Sequence, residues 1–87
     1  MYVIAVYDVG EKRVGKMLKL CRRYLCWIQN SVFEGEITEA KLMEFKYKAQ
    51  EIMDEEKDSL IIFNARQEKW LKKEIIGYEQ QSTTTFL

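Results

Sequence analysis

The chain has 87 residues and a formal net charge of zero, with 14 basic and 14 acidic side chains. This length allows one hydrophobic core, since two smaller cores would each be too small to be stable. The absence of histidine excludes Ser-His and Cys-His catalytic pairs and also metal sites with histidine ligands. We therefore expect any metal to have oxygen ligands, which favours magnesium, manganese or calcium.

The composition also gives expectations about location and assembly. No run of about eighteen apolar residues is present, and the N-terminus lacks a signal-peptide pattern, so we expect a cytoplasmic protein without a membrane segment. A chain this small gains stability from pairing with a copy of itself. We therefore expect an oligomer, most simply a two-fold dimer.

The chain opens with an apolar run over residues 1–8 that ends in the carboxylate of Asp8. β-Branched and aromatic residues dominate the run, and Gly10 follows it, which predicts a strand buried on both faces and then a turn. A central strand holds its last residue rigidly, so Asp8 is a candidate for catalysis or ion binding. Alternatively, Asp8 begins a turn or caps the following helix.

Residues 11–26 predict an amphipathic helix, because two sets of side chains each recur at steps of four, three and four. Segment 11–23 has six basic residues against one acid, which is lopsided for an ordinary solvated face. We expect the cationic face to contact phosphate, and the solvated face is the alternative. The apolar set is Val14, Leu18, Cys21 and Leu25, and the cationic set is Lys12, Lys16, Lys19 and Arg23.

The two cysteines, Cys21 and Cys26, are five positions apart in this segment. Side chains at that spacing do not face each other well enough for a disulfide. We expect both to be buried, reduced thiols rather than zinc ligands.

The middle of the chain predicts a strand, a turn and a second helix. Alternation over residues 27–33 favours one strand, and a Glu-Gly-Glu stretch at 34–36 allows a tight turn or a bulge before a short return strand that starts at Ile37. Thr38 can cap a helix over 39–53 with an apolar inner face. Acids dominate its outer face, so we expect this helix to face away from any nucleic acid.

The last third of the chain predicts two further strands. Residues 54–58 are an acidic run that we expect to form a solvated turn, and the apolar stretch 59–65 predicts a strand beside the first one, in the middle of the sheet. Residues 66–73 predict a loop or a turn of helix. Residues 74–78 predict an additional strand that could reach onto a partner's sheet, and residues 79–87 form a tail.

The order strand, helix, strand, strand, helix, strand predicts an α+β fold, the ferredoxin-like βαββαβ sandwich, with an additional C-terminal strand. Right-handed crossovers place both helices on one face and leave the other free for dimerisation. We predict a single domain over residues 1–78 and a C-terminal tail, 79–87, that can dock on the partner subunit.

Several short motifs resemble the CRISPR-associated protein 2 family over about residues 1–66, and an Ile-Gly-Tyr near the end also fits. The Gln-x-Ser-Val-Phe-Glu-Gly stretch is specific, whereas a Tyr-Asp pair alone would be weak. The matching positions are Tyr7-Asp8-Val9, Lys12-Arg13, Lys16, Lys19, Cys21, Tyr24-Leu25, Gln29, Ser31-Val32-Phe33-Glu34-Gly35 and Asp58-Ser59.

The resemblance implies a homodimer in which Asp8 of each subunit meets near the two-fold axis and the pair holds Mg²⁺ or Mn²⁺. Many members of that family are described as metal-dependent endonucleases of RNA or double-stranded DNA. Tyr7, Asp8, Arg13 and Phe33 are therefore the candidate catalytic residues, with Asp8 also the metal ligand and core packing the alternative role of Phe33. The candidate nucleic-acid-binding residues are Lys12, Arg13, Lys16, Lys19 and Arg23.

The resemblance leaves two functional hypotheses. One is a magnesium-dependent endonuclease that uses the Asp8 pair. The other is a non-catalytic adaptor of spacer acquisition, which bridges dimers of the CRISPR integrase, CRISPR-associated protein 1, and supports the captured DNA duplex. Glu11 and Trp27 stand where some nuclease-active relatives carry arginine, which favours the adaptor. A third possibility is a ferredoxin-like regulatory or RNA-binding module, although the chain lacks the aromatic pair on central strands that RNA-recognition modules use.

Overall fold

The computed structural model describes residues 1–77, which form a four-stranded antiparallel sheet and two α-helices. The sheet order is β2-β3-β1-β4. This element order confirms the predicted ferredoxin-like βαββαβ arrangement. The elements are β1 (Tyr2–Asp8), α1 (Glu11–Tyr24), β2 (Cys26–Gln29), β3 (Val32–Glu36), α2 (Glu39–Ile52), β4 (Ser59–Ala65) and a short 3₁₀ helix (Glu68–Trp70).

Both helices pack on one face of the sheet. Along β1 the side chains of Val3, Ala5 and Tyr7 are buried in the core, whereas Ile4 and Val6 between them are half-buried. Successive strand residues point to opposite faces, so within residues 1–77 the face that carries Ile4 and Val6 has neither α-helix over it, although residues 73–76 line a pocket with Ile4 there. We call this the open face. The core beneath the helices also includes Met17, Leu20, Cys21, Phe33, Leu42, Phe45 and Ala49.

The segment 27–33, predicted as one strand, is a hairpin between β2 and β3. Its turn contains Asn30, whose backbone has φ 45° in the left-handed region, where asparagine is tolerated better than most residues. The turn or bulge predicted at 34–36 and the return strand predicted from Ile37 are wrong, because residues 34–36 belong to β3 and pair in regular register with β1. Gly35 instead allows close packing, since a Cβ there would lie 3.4 Å from a methyl carbon of Leu25.

The strand β4 lies beside β1, as predicted, but at the edge of the sheet rather than in its middle. Its side chains Ile61 and Phe63 are 51% and 52% exposed. They pair with Val6 and Ile4 across the ladder, which puts them on the open face. Residues 74–77 form no strand within the described chain, and Tyr78 and the predicted tail 79–87 lie outside the described residues.

The two helices follow their predicted boundaries closely, and no helix within residues 1–77 is long and apolar enough to cross a bilayer. The hydroxyl of Thr38 accepts a hydrogen bond from the Lys41 amide at 3.1 Å, which confirms the predicted cap of α2. Cys21 is buried as expected, and burial raises the pKa of its thiol to about 12. Cys26 is exposed, contrary to expectation, because it lies in β2 rather than in the helix.

Candidate metal and nucleic-acid site

Asp8 is the last residue of β1, and its side chain is exposed. It pairs with Ser59 at the end of the β1–β4 ladder. No side chain among residues 1–77 caps α1, whose N-cap is Gly10, so the alternative that Asp8 caps this helix is wrong. Among residues 1–77 no group of three or more potential ligand side chains could hold a metal ion. An ion at Asp8 would therefore need further ligands from water, from a phosphate or from a second subunit.

The carboxylate of Asp58 is buried beside the turn that follows Asp8, with its side chain 0% exposed. Its Oδ1 accepts hydrogen bonds from the Gly10 amide at 2.8 Å and from Arg13 Nη2 at 3.0 Å. Its Oδ2 accepts from Arg13 Nε at 2.6 Å and from the Asp54 amide at 2.9 Å. We call this arrangement the Asp58 clamp.

The Asp58 clamp changes two expectations from the sequence. The acidic run 54–58 is not uniformly solvated, because Asp58 is buried. The hydrogen bond from Arg13 is the largest of the causes that hold the pKa of the Asp58 carboxyl well below its usual range. Sequence analysis named Asp58 only as part of the family resemblance and gave it no role, although its position directly before the strand that pairs with β1 was a usable signal. The side chain of Arg13 is 26% exposed, so part of it can still reach a ligand.

A groove of about 390 Å³ lies between α1 and α2. All four members of the predicted cationic face line it, together with Arg13. Lys48 of α2 joins them. Sequence analysis missed it because it treated the outer face of this helix as acidic, although α2 carries three glutamates and three lysines. One acid, Glu51, also lines the groove. The basic groove is therefore formed by Lys12, Arg13, Lys16, Lys19, Arg23 and Lys48.

The two aromatic candidates, Tyr7 and Phe33, lie in the core rather than on the surface with Asp8. Tyr7 is 6% exposed and Phe33 0%. Their rings are stacked, with centroids 6.2 Å apart and an interplanar angle of 24°. Burial is the main cause that raises the pKa of the Tyr7 hydroxyl. Both rings therefore pack in the core, and neither is exposed as Asp8 is.

Comparison with known proteins places these features in a family. The family model described as CRISPR associated protein Cas2 matches residues 1–73. The chain is 47% identical, over the full length of both proteins, to the CRISPR-associated endoribonuclease Cas2 of Dictyoglomus turgidum. It is 41% identical to the protein of the same name from Fusobacterium nucleatum subsp. nucleatum, with all of this chain and 87% of the relative covered.

Solved structures agree with the sequence comparison. A crystal structure of cas2 is similar with a TM-score of 0.85 and 38% identity, covering 100% of this chain and 98% of the other. The crystal structure of Streptococcus pyogenes Cas2 at pH 6.5 has a TM-score of 0.77 and 32% identity, covering 88% of this chain and 100% of the other. On the matched residues, the identities and the shared fold, the chain belongs to the CRISPR-associated Cas2 family.

Proposed function

We propose that this protein is a homodimeric, magnesium-dependent endonuclease of CRISPR spacer acquisition. The observation that carries the proposal is the exposed carboxylate of Asp8 at a rigid strand end, close in the chain to a groove lined by six cations. The curated relatives named above are endoribonucleases, which makes RNA the first substrate to test and double-stranded DNA the second.

The proposed dimer forms through the open face. Ile61 and Phe63 expose large apolar side chains there, on an edge strand, and such patches mark interaction sites in small proteins. Along β1 the residues Ile4, Val6 and Asp8 share this face, because side chains alternate along a strand. Pairing of two open faces would therefore bring the two Asp8 carboxylates toward the interface.

The donor chemistry at Asp8 fits magnesium. Mg²⁺ is usually held by one or two carboxylates, with waters and substrate phosphates as its other ligands. Asp8 from each subunit would supply those carboxylates, and Mn²⁺ accepts the same oxygen ligands. Bound there, the ion would supply a water of lowered pKa and would neutralise charge on the phosphate.

The other site residues hold the nucleic acid and the strand end in this proposal. Lys12, Lys16, Lys19 and Arg23 bind backbone phosphates along the basic groove as charged hydrogen-bond donors. Arg13 lines the same groove and fixes the turn after β1 through Asp58. Tyr7 and Phe33 keep the end of β1 in place by packing behind it.

Asp8→Asn tests the endonuclease proposal. The wild-type dimer should cut single-stranded RNA or double-stranded DNA only with magnesium, and the variant should lose this cleavage. Its unfolding midpoint should stay unchanged, because the side chain is exposed. Glu11→Gln, which removes a nearby exposed carboxylate, is the matched control and should cut normally. Cleavage by Asp8→Asn at the wild-type rate would refute the role of Asp8.

The length of the basic groove favours a second candidate function, the adaptor. Lys12 and Arg23 are 11 positions apart on one helix, or about 16 Å at 1.5 Å per residue. That distance corresponds to about five phosphates on one strand of duplex DNA, more than a single cleavage site requires. In this role the dimer bridges dimers of the CRISPR integrase, CRISPR-associated protein 1, and supports the captured duplex in the cytoplasm.

An integration assay separates the two functions. With the integrase and a DNA fragment supplied, an adaptor should support integration when it carries Asp8→Asn. Reversing the charge of Lys16, Lys19 and Arg23 should abolish integration. Failure of the Asp8→Asn protein with normal DNA binding would instead favour the endonuclease.

A further inference from the structure

The Asp58 carboxylate lies just beyond the last backbone pair of the β1–β4 ladder. That pair joins Asp8 to Ser59. The next contact between the two segments is the hydrogen bond from the Gly10 amide to Asp58 Oδ1, at 2.8 Å. The Asp58 side chain thus adds one hydrogen bond beyond the last strand pair. The chain is therefore bonded to the β4 segment both at Asp8 and after it, at Gly10.

The same carboxylate ties this turn to the first turn of α1. Arg13 donates from Nε and Nη2 to the two carboxylate oxygens of Asp58, at 2.6 and 3.0 Å. Two parallel hydrogen bonds between a guanidinium and a carboxylate fix orientation as well as distance. The Asp54 amide adds a fourth donor at 2.9 Å, from the end of α2. The carboxylate therefore joins β1, α1 and the turn before β4 at one buried point.

The contact between Arg13 and Asp58, and not the backbone conformation, explains why residue 10 is a glycine. Its dihedral angles, φ −59° and ψ 154°, are open to any residue. A Cβ at this position would lie 2.6 Å from Arg13 Nη2 and 3.5 Å from Asp58 Oδ1. The missing side chain is what allows the guanidinium to approach the turn.

We propose that Asp58 is a positioning residue, which, with Arg13, fixes the turn from Asp8 to Gly10 and so sets the direction of the Asp8 carboxylate toward a magnesium ion. Asp58 acts through the Gly10 amide and Arg13 and does not itself touch the ion or the nucleic acid. The inference rests on the proposed function in one respect, that Asp8 is a magnesium ligand.

Magnesium titration of the intact protein, followed by the amide NMR signals of Asp8 and Gly10, tests this role. Asp58→Asn and Gly10→Ala should each weaken magnesium binding by about tenfold, as loss of an outer-shell partner usually does. Glu55→Gln is the control for the loss of a carboxylate, since Glu55 lies in the same acidic run but is exposed. Wild-type magnesium affinity in both test variants would overturn the proposal.

Gly10→Ala keeps the test decisive if Asp58→Asn does not fold. Alanine adopts the Gly10 backbone conformation without strain, so the substitution disturbs mainly the guanidinium contact. Gly15→Ala is its control, since a Cβ at Gly15 meets no atom within 4 Å. Both alanine variants should keep a cooperative unfolding transition, and only Gly10→Ala should bind magnesium more weakly.

Amide hydrogen exchange separates failure of this inference from failure of the proposed metal site. If magnesium shifts no signal of Asp8 in the wild-type protein, the metal site is refuted. Positioning is then judged by exchange alone, and the Gly10 amide should exchange faster in Asp58→Asn than in Glu55→Gln, with the Ala5 amide unchanged. Equal exchange of Gly10 in these two variants would overturn the positioning role.

Discussion

Neutralising the cationic face of α1 should reduce the salt dependence of nucleic-acid binding. The test protein carries Lys16→Gln, Lys19→Gln and Arg23→Gln, three changes along the basic groove. The slope of log K against log salt is about −0.9 per phosphate contacted in a duplex and about −0.7 in a single strand. If each side chain contacts one phosphate, the slope should become shallower by about 2.7 for a duplex and about 2.1 for a single strand, per bound subunit.

A charge-matched control separates contact from net charge. Lys46, Lys57 and Lys72 are exposed and do not line the basic groove. Changing all three to glutamine lowers the formal charge by the same amount, but it should leave the slope close to that of the wild type. Fluorescence anisotropy of a labelled duplex and a labelled single strand, measured over a series of potassium chloride concentrations, gives the slopes.

Two results would refute the reasoning. An equal change of slope in both triple variants would mean that only net charge matters. An unchanged slope in the groove variant, with the wild-type fold retained, would mean that the phosphates bind elsewhere on the protein.

Three further predictions concern stability and assembly. The free energy of unfolding should decline as pH falls below about 3.8, the ordinary pKa of the Asp58 carboxyl, because the folded protein lowers that pKa. Acid titration followed by circular dichroism should show a weaker decline for Asp58→Asn than for the wild type, and an equal decline would contradict the prediction. Phe33→Ala should lower the free energy of unfolding, measured in urea, by about 3–5 kcal/mol, because the ring is fully buried. Phe33→Leu should keep cleavage activity, and loss of cleavage in a folded Phe33→Leu protein would assign the ring to the reaction. Ile61→Lys with Phe63→Lys should convert the dimer to a monomer in analytical ultracentrifugation, whereas Met43→Lys, at a more exposed apolar residue on α2, should not; a dimer in both cases would place the interface elsewhere.

The fold could be predicted where a segment's burial follows its own periodicity. The apolar run of β1 and the helical spacing of α1 and α2 fall in this class. The prediction failed for 27–33 because two short strands joined by a tight turn preserve the alternation of one longer strand, and Asn30 enters the left-handed region without a glycine to mark it. It also failed for the position of β4, since an apolar run fits an edge strand as well as a central one.

The residues of the candidate site could likewise be predicted only where they depend on local sequence features. Asp8 and the cationic face of α1 could be identified because strand ends and helical spacing are local features. The Asp58 clamp could not, since Arg13 and Asp58 are 45 positions apart and an acidic run usually indicates solvent. Lys48 was missed for a related reason, because the packing of two helices brings it to the groove.

Cys26 gives the protein a built-in attachment point for a chemical label. Its thiol is exposed, and through its pairing with Glu34 it lies on the same side of the sheet as Ile4. The second thiol, Cys21, is buried with a raised pKa and will react slowly near neutral pH. A maleimide dye will therefore mark one position per chain, and its rate of attachment across a dilution series will report how much of that side is shielded.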